Sequence, residues 1–213
     1  MSNIADIRKE YRLQTLLEED VSIHPIQQFE KWWEQAIESK IEEVNAMTLA
    51  TVNAMGKPSA RTVLLKGYDN NGFIFFTNFN SRKGMDMEEN PNVCLVLFWK
   101  ELERQIRIEG IVKKIEDTES DIYFHSRPLL SRIGAWASPQ SKKIASREDL
   151  EKIFVEFETE FSEKEVTRPP HWGGYIVQPN KIEFWQGRPN RLHDRIEYQL
   201  EENNQWQFCR LAP

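Results

Sequence analysis

The pattern of hydrophobic and polar positions predicts a helical start followed by a long run of strands. After Pro25, apolar residues recur at helical spacing and predict one amphipathic helix carrying Phe29, Trp32, Trp33, Ala36, Ile37 and Ile41. From Met47 onward the spacing is that of strands, predicted at 47–52, 60–68, 73–77, 93–99, 104–115, 172–178, 181–185, 194–200 and 206–210. The continuous apolar run over 93–99 predicts a strand that is buried on both faces.

Helices are predicted where capping residues precede amphipathic stretches. Residues 81–89 form a short predicted helix, and Thr118 and Ser146, each with an aspartate three residues on, mark two further helix starts. Short turns join most strands, which favours antiparallel pairing. The sequence therefore predicts an α+β protein, predominantly antiparallel β, with helices packed outside a barrel or sheet. The charged residues 1–24 are expected to form a mobile arm before a single domain over 25–213.

Composition limits the possible functions and the cellular location. The net charge of −6 argues against a general nucleic-acid binder, although it leaves room for a local basic pocket. No apolar signal core follows the charged start and no stretch is long enough to span a bilayer, so a cytoplasmic protein is expected. Cys94 and Cys209 are too few for a disulfide framework. The four histidines lack metal-ligand spacing, so no metal site is expected.

The segment 182–195, IEFWQGRPNRLHDR, is the strongest candidate for a ligand site. Arg191, His193 and Arg195 are spaced by two, so in an extended chain their side chains share one face. Three such groups repel each other unless an anion lies between them. An exposed polar strand face is the alternative interpretation, which the neighbouring Trp185 and Gly187 weaken.

Other basic and polar clusters suit phosphate groups. Strand alternation places Arg61 and Lys66 on opposite faces unless a bulge intervenes, and Arg82 and Lys83 stand at a helix start, where an anion or solvent would accompany them. Hydroxyl and guanidinium donors suited to a phosphate monoester occur at Tyr123, Arg127 and Ser131. Gln140 and Ser141 lie in a loop, where an ordinary turn is the simpler interpretation. No Rossmann, P-loop or GxSxG motif is present, and the clusters favour redox chemistry by a bound cofactor over hydrolysis.

Taken in order along the chain, these segments resemble the pyridoxine/pyridoxamine 5′-phosphate oxidase family. The resemblance runs from Ile7 to Pro213 and rests on RTVLLK, FFTNFNSRKG, LERQIRIEG, YFHSRPLLSRIGAWAS, HWGGY and IEFWQGRPNRLHDR. It implies a homodimer of FMN-binding split β-barrels whose active sites are shared between subunits. It also implies oxidation of pyridoxine or pyridoxamine 5′-phosphate to pyridoxal 5′-phosphate, with O₂ as the electron acceptor, H₂O₂ as a product and ammonia released from the amine.

The resemblance also implies roles for individual residues. Implied FMN contacts are Arg61, Lys66, Phe76, Thr77, Arg82, Lys83, Gln105, Gln140, Ser141, Trp185 and Arg195. The implied substrate-phosphate site consists of Lys66, Tyr123, Arg127 and Ser131. Arg191 and His193 would act on the pyridine ring as catalytic residues, and Arg8 and Tyr11 match the arm that closes over the substrate. Two alternatives are a split-barrel flavin reductase with another substrate and a non-catalytic carrier of pyridoxal phosphate.

Overall fold

The computed structural model describes residues 3–4 and 9–213, so the role predicted for Arg8 lies outside the described residues. The strands are β1 (Ala46–Val52), β2 (Pro58–Leu64), β3 (Gly67–Asp69), β4 (Gly72–Asn78), β5 (Asn92–Trp99), β6 (Arg104–Lys114), β7 (Trp172–Gln186), β8 (Asp194–Leu200) and β9 (Trp206–Arg210). The α-helices are α1 (Pro25–Glu38), α2 (Arg82–Glu89), α3 (Asp117–Ser126), α4 (Leu129–Ala137) and α5 (Arg147–Glu160). None of the helices in the described part of the chain combines the length and apolar character that crossing a membrane requires.

The strands hydrogen-bond in the order β2-β1-β5-β6-β7-β4-β3, and β7 also pairs with β8, which pairs with β9. The pairs β3–β4, β4–β7, β7–β8 and β8–β9 are antiparallel. The predicted α+β class with antiparallel strands and peripheral helices is therefore confirmed. Residues 172–186 form one long strand where the sequence predicted two, because Pro179 and Asn180 continue the strand instead of ending it.

The chain divides into two compact units. The N/C unit comprises the described residues of Met1–Leu49 with Cys94–Gly110 and Pro179–Pro213, and the central unit comprises Ala50–Val93 and Ile111–Gln178. Strands β1, β5, β6 and β7 each contribute residues to both units. The single domain over 25–213 and the mobility of the 1–24 arm stay predictions.

In the N/C unit, α1 begins at Pro25 as predicted, with His24 as its cap. The His24 Nδ1 atom accepts the Ile26 N–H at 3.3 Å. The helix ends at Glu38 because Lys40 adopts a left-handed φ of 53°, which cannot continue a helix. The predicted apolar stripe is therefore wrong at its end, since Ile41 lies beyond the helix and Ile37 is 52% exposed.

Two predictions of local structure are wrong elsewhere in the chain. Strand β5 alternates buried and open positions, and Phe98 is 53% exposed, so the strand is not buried on both faces. Thr118 does not cap α3, because the helix already begins at Asp117 after the extended Glu116. The acidic side chains Asp117 and Glu119 instead place negative charge in its first turn, which the helix dipole favours.

Helix α4 was not predicted from the sequence, although the loop predicted at Gln140 and Ser141 does follow it. In the central unit, α4 contributes Ile133 to an apolar cluster that includes Phe124 and Trp172. Helix α5 follows the predicted cap, with the Ser146 hydroxyl accepting the Asp149 N–H at 3.1 Å, and its phenylalanines pack against the same cluster. Tertiary packing of short apolar stretches therefore forms a helix that local signals do not mark.

Candidate functional site

A cavity of about 900 Å³ in the central unit gathers most of the predicted site residues. Its lining includes Arg61, Lys66, Phe76, Thr77, Arg82, Lys83, Tyr123, Arg127, Ser131, Gln140 and Ser141. These residues come from β2, β4, α2, α3, α4 and the adjoining loops. Every residue predicted for the substrate-phosphate site lies on this one cavity.

Arg61 and Lys66 share the cavity because the strand that carries them is interrupted. The sequence predicted one strand over 60–68, but β2 ends at Leu64 and β3 begins at Gly67. Between them, the Lys66 N–H donates to the Ile74 carbonyl at 2.8 Å. The break removes the strict alternation that would have placed the two cations on opposite faces, as the sequence analysis allowed for a bulge.

Lys83 is held at the start of α2 by oxygen acceptors. Its Nζ donates to the Thr77 Oγ1 at 2.8 Å, the Ser81 Oγ at 3.0 Å and the Gln140 Oε1 at 2.9 Å. Burial, with a smaller contribution from the Arg61 charge, lowers the Lys83 pKa to about 8. The first turn of α2 contains no acidic residue, so its cations face the positive end of the helix dipole, an arrangement that an anion would stabilise.

Arg127 carries a buried donor that no protein group satisfies. It directly follows α3, and among the described residues its Nη1 atom has no hydrogen-bond partner. Its guanidinium lies 4.6 Å from the Trp172 ring centroid, and burial lowers its pKa. Because an unsatisfied buried N–H is costly, the position fits an anionic ligand.

Aromatic rings form one wall of the cavity. Phe76 and Tyr123 stack with centroids 3.9 Å apart, and Phe76 stacks on Trp172 at 5.5 Å. Rings stacked in this way are rigid and apolar, and together they hold the Tyr123 side chain beside Arg127 at the cavity lining. The cavity therefore combines cations with a flat apolar surface, which suits a phosphorylated aromatic ligand.

The N/C unit contains a second group of predicted site residues. A cavity of about 570 Å³ is lined by Tyr11, Arg191 and His193 together with Lys9, Glu10, Arg188 and Asn190. The Trp185 ring lies 4.6 Å from the His193 ring and 5.8 Å from Tyr11, between centroids. Tyr11, Trp185 and His193 therefore form one aromatic cluster within this unit.

The predicted extended face over residues 191–195 is wrong. Residues Pro189–Arg191 form a 3-10 turn, and β8 begins only at Asp194. Asn190 and Arg191 adopt left-handed φ angles of 56° and 63°, which cost free energy in residues with a Cβ. Arg191 and His193 therefore project from a strained loop, and Arg195 from a strand.

His193 is held in one tautomer by the main chain. Its Nδ1 accepts the Arg188 N–H at 3.1 Å, so the ring proton of the neutral form resides on Nε2. Burial, followed by the Arg191 charge, lowers the His193 pKa. At neutral pH, His193 is thus an uncharged ring with a donor at Nε2.

The anion expected beside Arg195 is a carboxylate of the chain itself. The Arg195 Nε lies 2.7 Å from Oε1 of the buried Glu183, and the Arg107 Nη2 lies 2.9 Å from Oε2. Two arginines therefore share one buried carboxylate. Gln105 lies partly buried on β6 and, like Arg195, is not among the residues that line the two cavities.

Two buried acids near these groups were missed in the sequence analysis. Asp86 bonds to hydroxyl groups beside Arg61, and Glu103 accepts the backbone N–H groups of Arg12 and Leu13 at 2.8 and 3.1 Å. Each lies in a polar segment with other acidic residues close by, and no spacing or motif distinguishes it from the solvent-exposed acids. Only the fold reveals that both are buried.

Comparison with solved structures defines the class of the protein. The chain is similar to PhzG from Burkholderia lata, solved with tetrahydrophenazine-1-carboxylic acid, with a TM-score of 0.87, 30% identity and coverage of 94% of this chain and 99% of that one. It shares its fold with a pyridoxamine 5′-phosphate oxidase-related, FMN binding protein from Nostoc punctiforme, with a TM-score of 0.70, 17% identity and coverage of 91% and 100%. The fold therefore defines a split-barrel protein, as the sequence predicted.

Comparison of sequences identifies the family. Residues 33–160 match the model described as pyridoxamine 5′-phosphate oxidase, and residues 172–213 match the pyridoxine 5′-phosphate oxidase C-terminal dimerisation region. The chain is 55% identical over 213 residues to the pyridoxine/pyridoxamine 5′-phosphate oxidase of Cupriavidus metallidurans, covering 100% of both. It is 56% identical over 211 residues to the same enzyme of a Cyanothece species, covering 99% of both. The chain belongs to the pyridoxine/pyridoxamine 5′-phosphate oxidase family, which confirms the resemblance and makes the protein an FMN-dependent enzyme by family.

Proposed function

We propose that the protein oxidises pyridoxine 5′-phosphate or pyridoxamine 5′-phosphate to pyridoxal 5′-phosphate. Bound FMN would supply the redox chemistry, taking a hydride from the substrate C4′ carbon and passing the electrons to O₂ to give H₂O₂. The alcohol loses its hydroxyl proton in the same oxidation, and the amine is released as ammonia after hydrolysis. Full-length relatives that carry this enzyme name support the proposal.

The observation that carries the proposal is the unsatisfied Arg127 donor on the cavity of the central unit. Arg127 shares the lining with Lys66, Tyr123 and Ser131, all donors suited to the oxygens of a phosphate monoester. A phosphate there would accept the buried N–H that the protein leaves unpaired. We therefore assign these four residues to the substrate phosphate.

The same cavity fits the phosphate and ring of FMN. Arg61, Arg82 and Lys83 concentrate positive charge at the start of α2, where the helix dipole also favours an anion. The proposed FMN residues on this cavity are Arg61, Lys66, Phe76, Thr77, Arg82, Lys83, Gln140 and Ser141. From the N/C unit we propose three further FMN contacts, which are Gln105, Trp185 and Arg195.

Arg191 and His193 would act on the substrate ring. The Arg191 guanidinium can hold an anionic ring substituent, while His193 presents the N–H of Nε2 as a donor. Because Nδ1 is engaged by the main chain, a proton exchanged by His193 would pass through Nε2. Tyr11 lies on the same cavity and, with Arg8, would exclude water from the ring.

We further propose a homodimer in which the two subunits share each active site. The match of residues 172–213 to a dimerisation region supports the dimer. The cytoplasmic location stays a prediction. Dilution of the active protein, followed by light scattering and activity in parallel, tests the shared site, because a fully active monomer would contradict it.

Turnover with purified protein tests the reaction itself. The full chain is incubated with FMN, O₂ and either phosphorylated vitamer, and formation of the aldehyde is followed by absorbance. We expect one H₂O₂ per aldehyde, ammonia only from the amine, and no turnover without FMN or with pyridoxine that lacks the 5′-phosphate. A flavin-loaded protein that forms no aldehyde from either substrate would refute the proposal and favour another substrate or a carrier role.

A further inference from the structure

Asp86 connects helix α2 to Arg61 through two hydroxyl groups. The Asp86 Oδ2 accepts hydrogen bonds from the Thr51 hydroxyl at 2.7 Å and the Ser59 hydroxyl at 2.9 Å. The same two hydroxyl oxygens accept from Arg61, with 2.8 Å from Nη1 to Thr51 and 2.5 Å from Nη2 to Ser59. Asp86 is 5% exposed and does not line the cavity, whereas Arg61 does.

The direction of these hydrogen bonds shows that the Asp86 carboxylate determines how the two hydroxyl groups are oriented. Each hydroxyl has one proton, and donating it to Asp86 leaves its oxygen lone pairs for the Arg61 N–H groups. The carboxylate therefore sets the orientation of both hydroxyls, and they in turn fix two nitrogens of the guanidinium. The Asp86 carboxylate also lies 3.8 Å from the Arg61 Nη2 and stabilises its charge beside Arg82 and Lys83.

We propose that Asp86 is a positioning residue that holds Arg61 for the phosphate of FMN, and so sets the preference of the protein for FMN over riboflavin. The inference rests on the proposed function, which assigns Arg61 to the cofactor. A purely structural role, in which Asp86 only ties α2 to β1 and β2, would affect both flavins alike. The two roles therefore predict different ratios of FMN affinity to riboflavin affinity in an Asp86 variant, and this ratio can be measured.

The test compares the affinities of the flavin-free full chain for FMN and for riboflavin, measured by quenching of flavin fluorescence. Asp86→Asn removes the charge while keeping the shape, and Ser59→Ala removes one of the two hydroxyls. We expect each variant to weaken FMN binding by about tenfold or more, the loss of one charge-assisted hydrogen bond, with riboflavin binding unchanged. Glu88→Gln, an exposed acid on the same helix, is the matched control and should change neither affinity.

Each outcome decides between the roles. Equal losses for FMN and riboflavin, or an unchanged FMN affinity, would overturn the positioning role. A wild-type protein that binds both flavins equally would overturn the assignment of FMN as well. A wild-type preference for FMN that survives in both variants would overturn only the inference about Asp86. If Asp86→Asn does not fold, Ser59→Ala measures the same arrangement without removing the buried acid.

Discussion

The two groups of candidate site residues are built on different kinds of backbone. In the central unit, the cations that would meet phosphate come from β2, from the break between β2 and β3, from the first turn of α2 and from the residue directly after α3. In the N/C unit, Tyr11 lies in a segment without regular structure and Arg191 ends a 3-10 turn with a left-handed backbone. The proposed phosphate-binding cations therefore lie on regular elements or within two residues of one, whereas Tyr11, Arg191 and His193, proposed to act at the substrate ring, lie on loops.

This difference follows from what each group must do. A phosphate site needs cations that stay in place despite their mutual repulsion, and anchors such as Asp86 can hold them. Residues that close over a substrate must be able to move away again, and such segments come from the less stable parts of a fold. We therefore expect changes in the central unit to alter binding, and changes in the N/C unit to alter closure.

Glu103 joins two loop segments of the N/C unit. Its carboxylate accepts the Arg12 and Leu13 N–H groups and lies 3.2 Å from the Lys9 Nζ. Its carbonyl accepts the Gly187 N–H at 2.7 Å. One buried residue thus fastens both the segment that carries Tyr11 and the turn that leads to His193, which explains how loops hold a defined cluster of rings.

The largest effect is expected from Arg127→Ala. The variant removes the only side chain of the proposed substrate-phosphate site with an unpaired buried donor among the described residues. Loss of its charged hydrogen bonds should raise KM for either vitamer by about 30- to 1000-fold, corresponding to about 2–4 kcal/mol, while FMN stays bound. Steady-state kinetics measure the change in KM, and the flavin absorbance of the purified variant measures the amount of bound FMN.

Arg147→Ala is the matched control for Arg127→Ala, because this exposed arginine on α5 pairs with Glu151 across one helical turn and has no other ion pair among residues 3–4 and 9–213. It should leave KM unchanged. An Arg127→Ala protein that loses its flavin and keeps its KM would show that Arg127 serves the cofactor, which would break the division of the cavity into two phosphate sites.

A smaller effect, on closure, is expected from Gly187→Ala. A Cβ at this position would lie 2.6 Å from the Tyr11 Cγ, so the ring must move. Such overpacking costs about 1–3 kcal/mol, and it should detach the segment around Tyr11 while leaving the central unit intact. Limited proteolysis near residues 9–16 should become faster, with a rise in KM and little change in FMN affinity.

Gly67→Ala serves as the comparison for Gly187→Ala, because its Cβ would meet only the Ile74 side chain at 3.7 Å, an ordinary contact. Proteolysis of the N-terminal segment should be unchanged in this variant. If Gly187→Ala is instead cleaved by the protease at the wild-type rate, the Tyr11 segment does not depend on contact with the turn at Gly187. The proposed contrast between the site residues of the N/C unit and those of the central unit would then fail.

The sequence predicted the parts of the molecule that rest on local signals. The bounds of β8 and β9, the end of α2 at Glu89 and the Ser146 cap of α5 agree with the structure. Features that depend on tertiary contacts were not predictable. Helix α4 forms by packing on the Phe124 cluster, and Lys66 reaches the cavity through a strand break fixed by Ile74.

The charge distribution of residues 191–195 shows why pattern alone misleads at a strained site. Spacing by two indicated an extended face, but the left-handed Asn190 and Arg191 turn the chain before β8 begins. The repulsion argument was sound, since an anion does lie beside Arg195. That anion is Glu183, which precedes Arg195 by 12 residues, too far for any local spacing rule to link the two. Pairing of β7 with β8 brings them together.

The smallest effect expected is a pH dependence of FMN binding through Lys83. Its pKa is lowered to about 8, so the side chain is charged below that pH and neutral above it. A phosphate is held by the charged form, and binding is therefore favoured at low pH and lost as the pH rises through the pKa. Between pH 7 and pH 9 the charged fraction falls about tenfold, which bounds the loss of FMN affinity. Fluorescence titrations at both pH values measure this loss of FMN affinity, with riboflavin as the ligand that lacks the phosphate.

The control variant Lys83→Arg keeps its charge at both pH values and should bind FMN with little dependence on pH. An equal loss in Lys83→Arg and in wild type would assign the pH dependence to another group and remove Lys83 from the proposed cofactor-phosphate site.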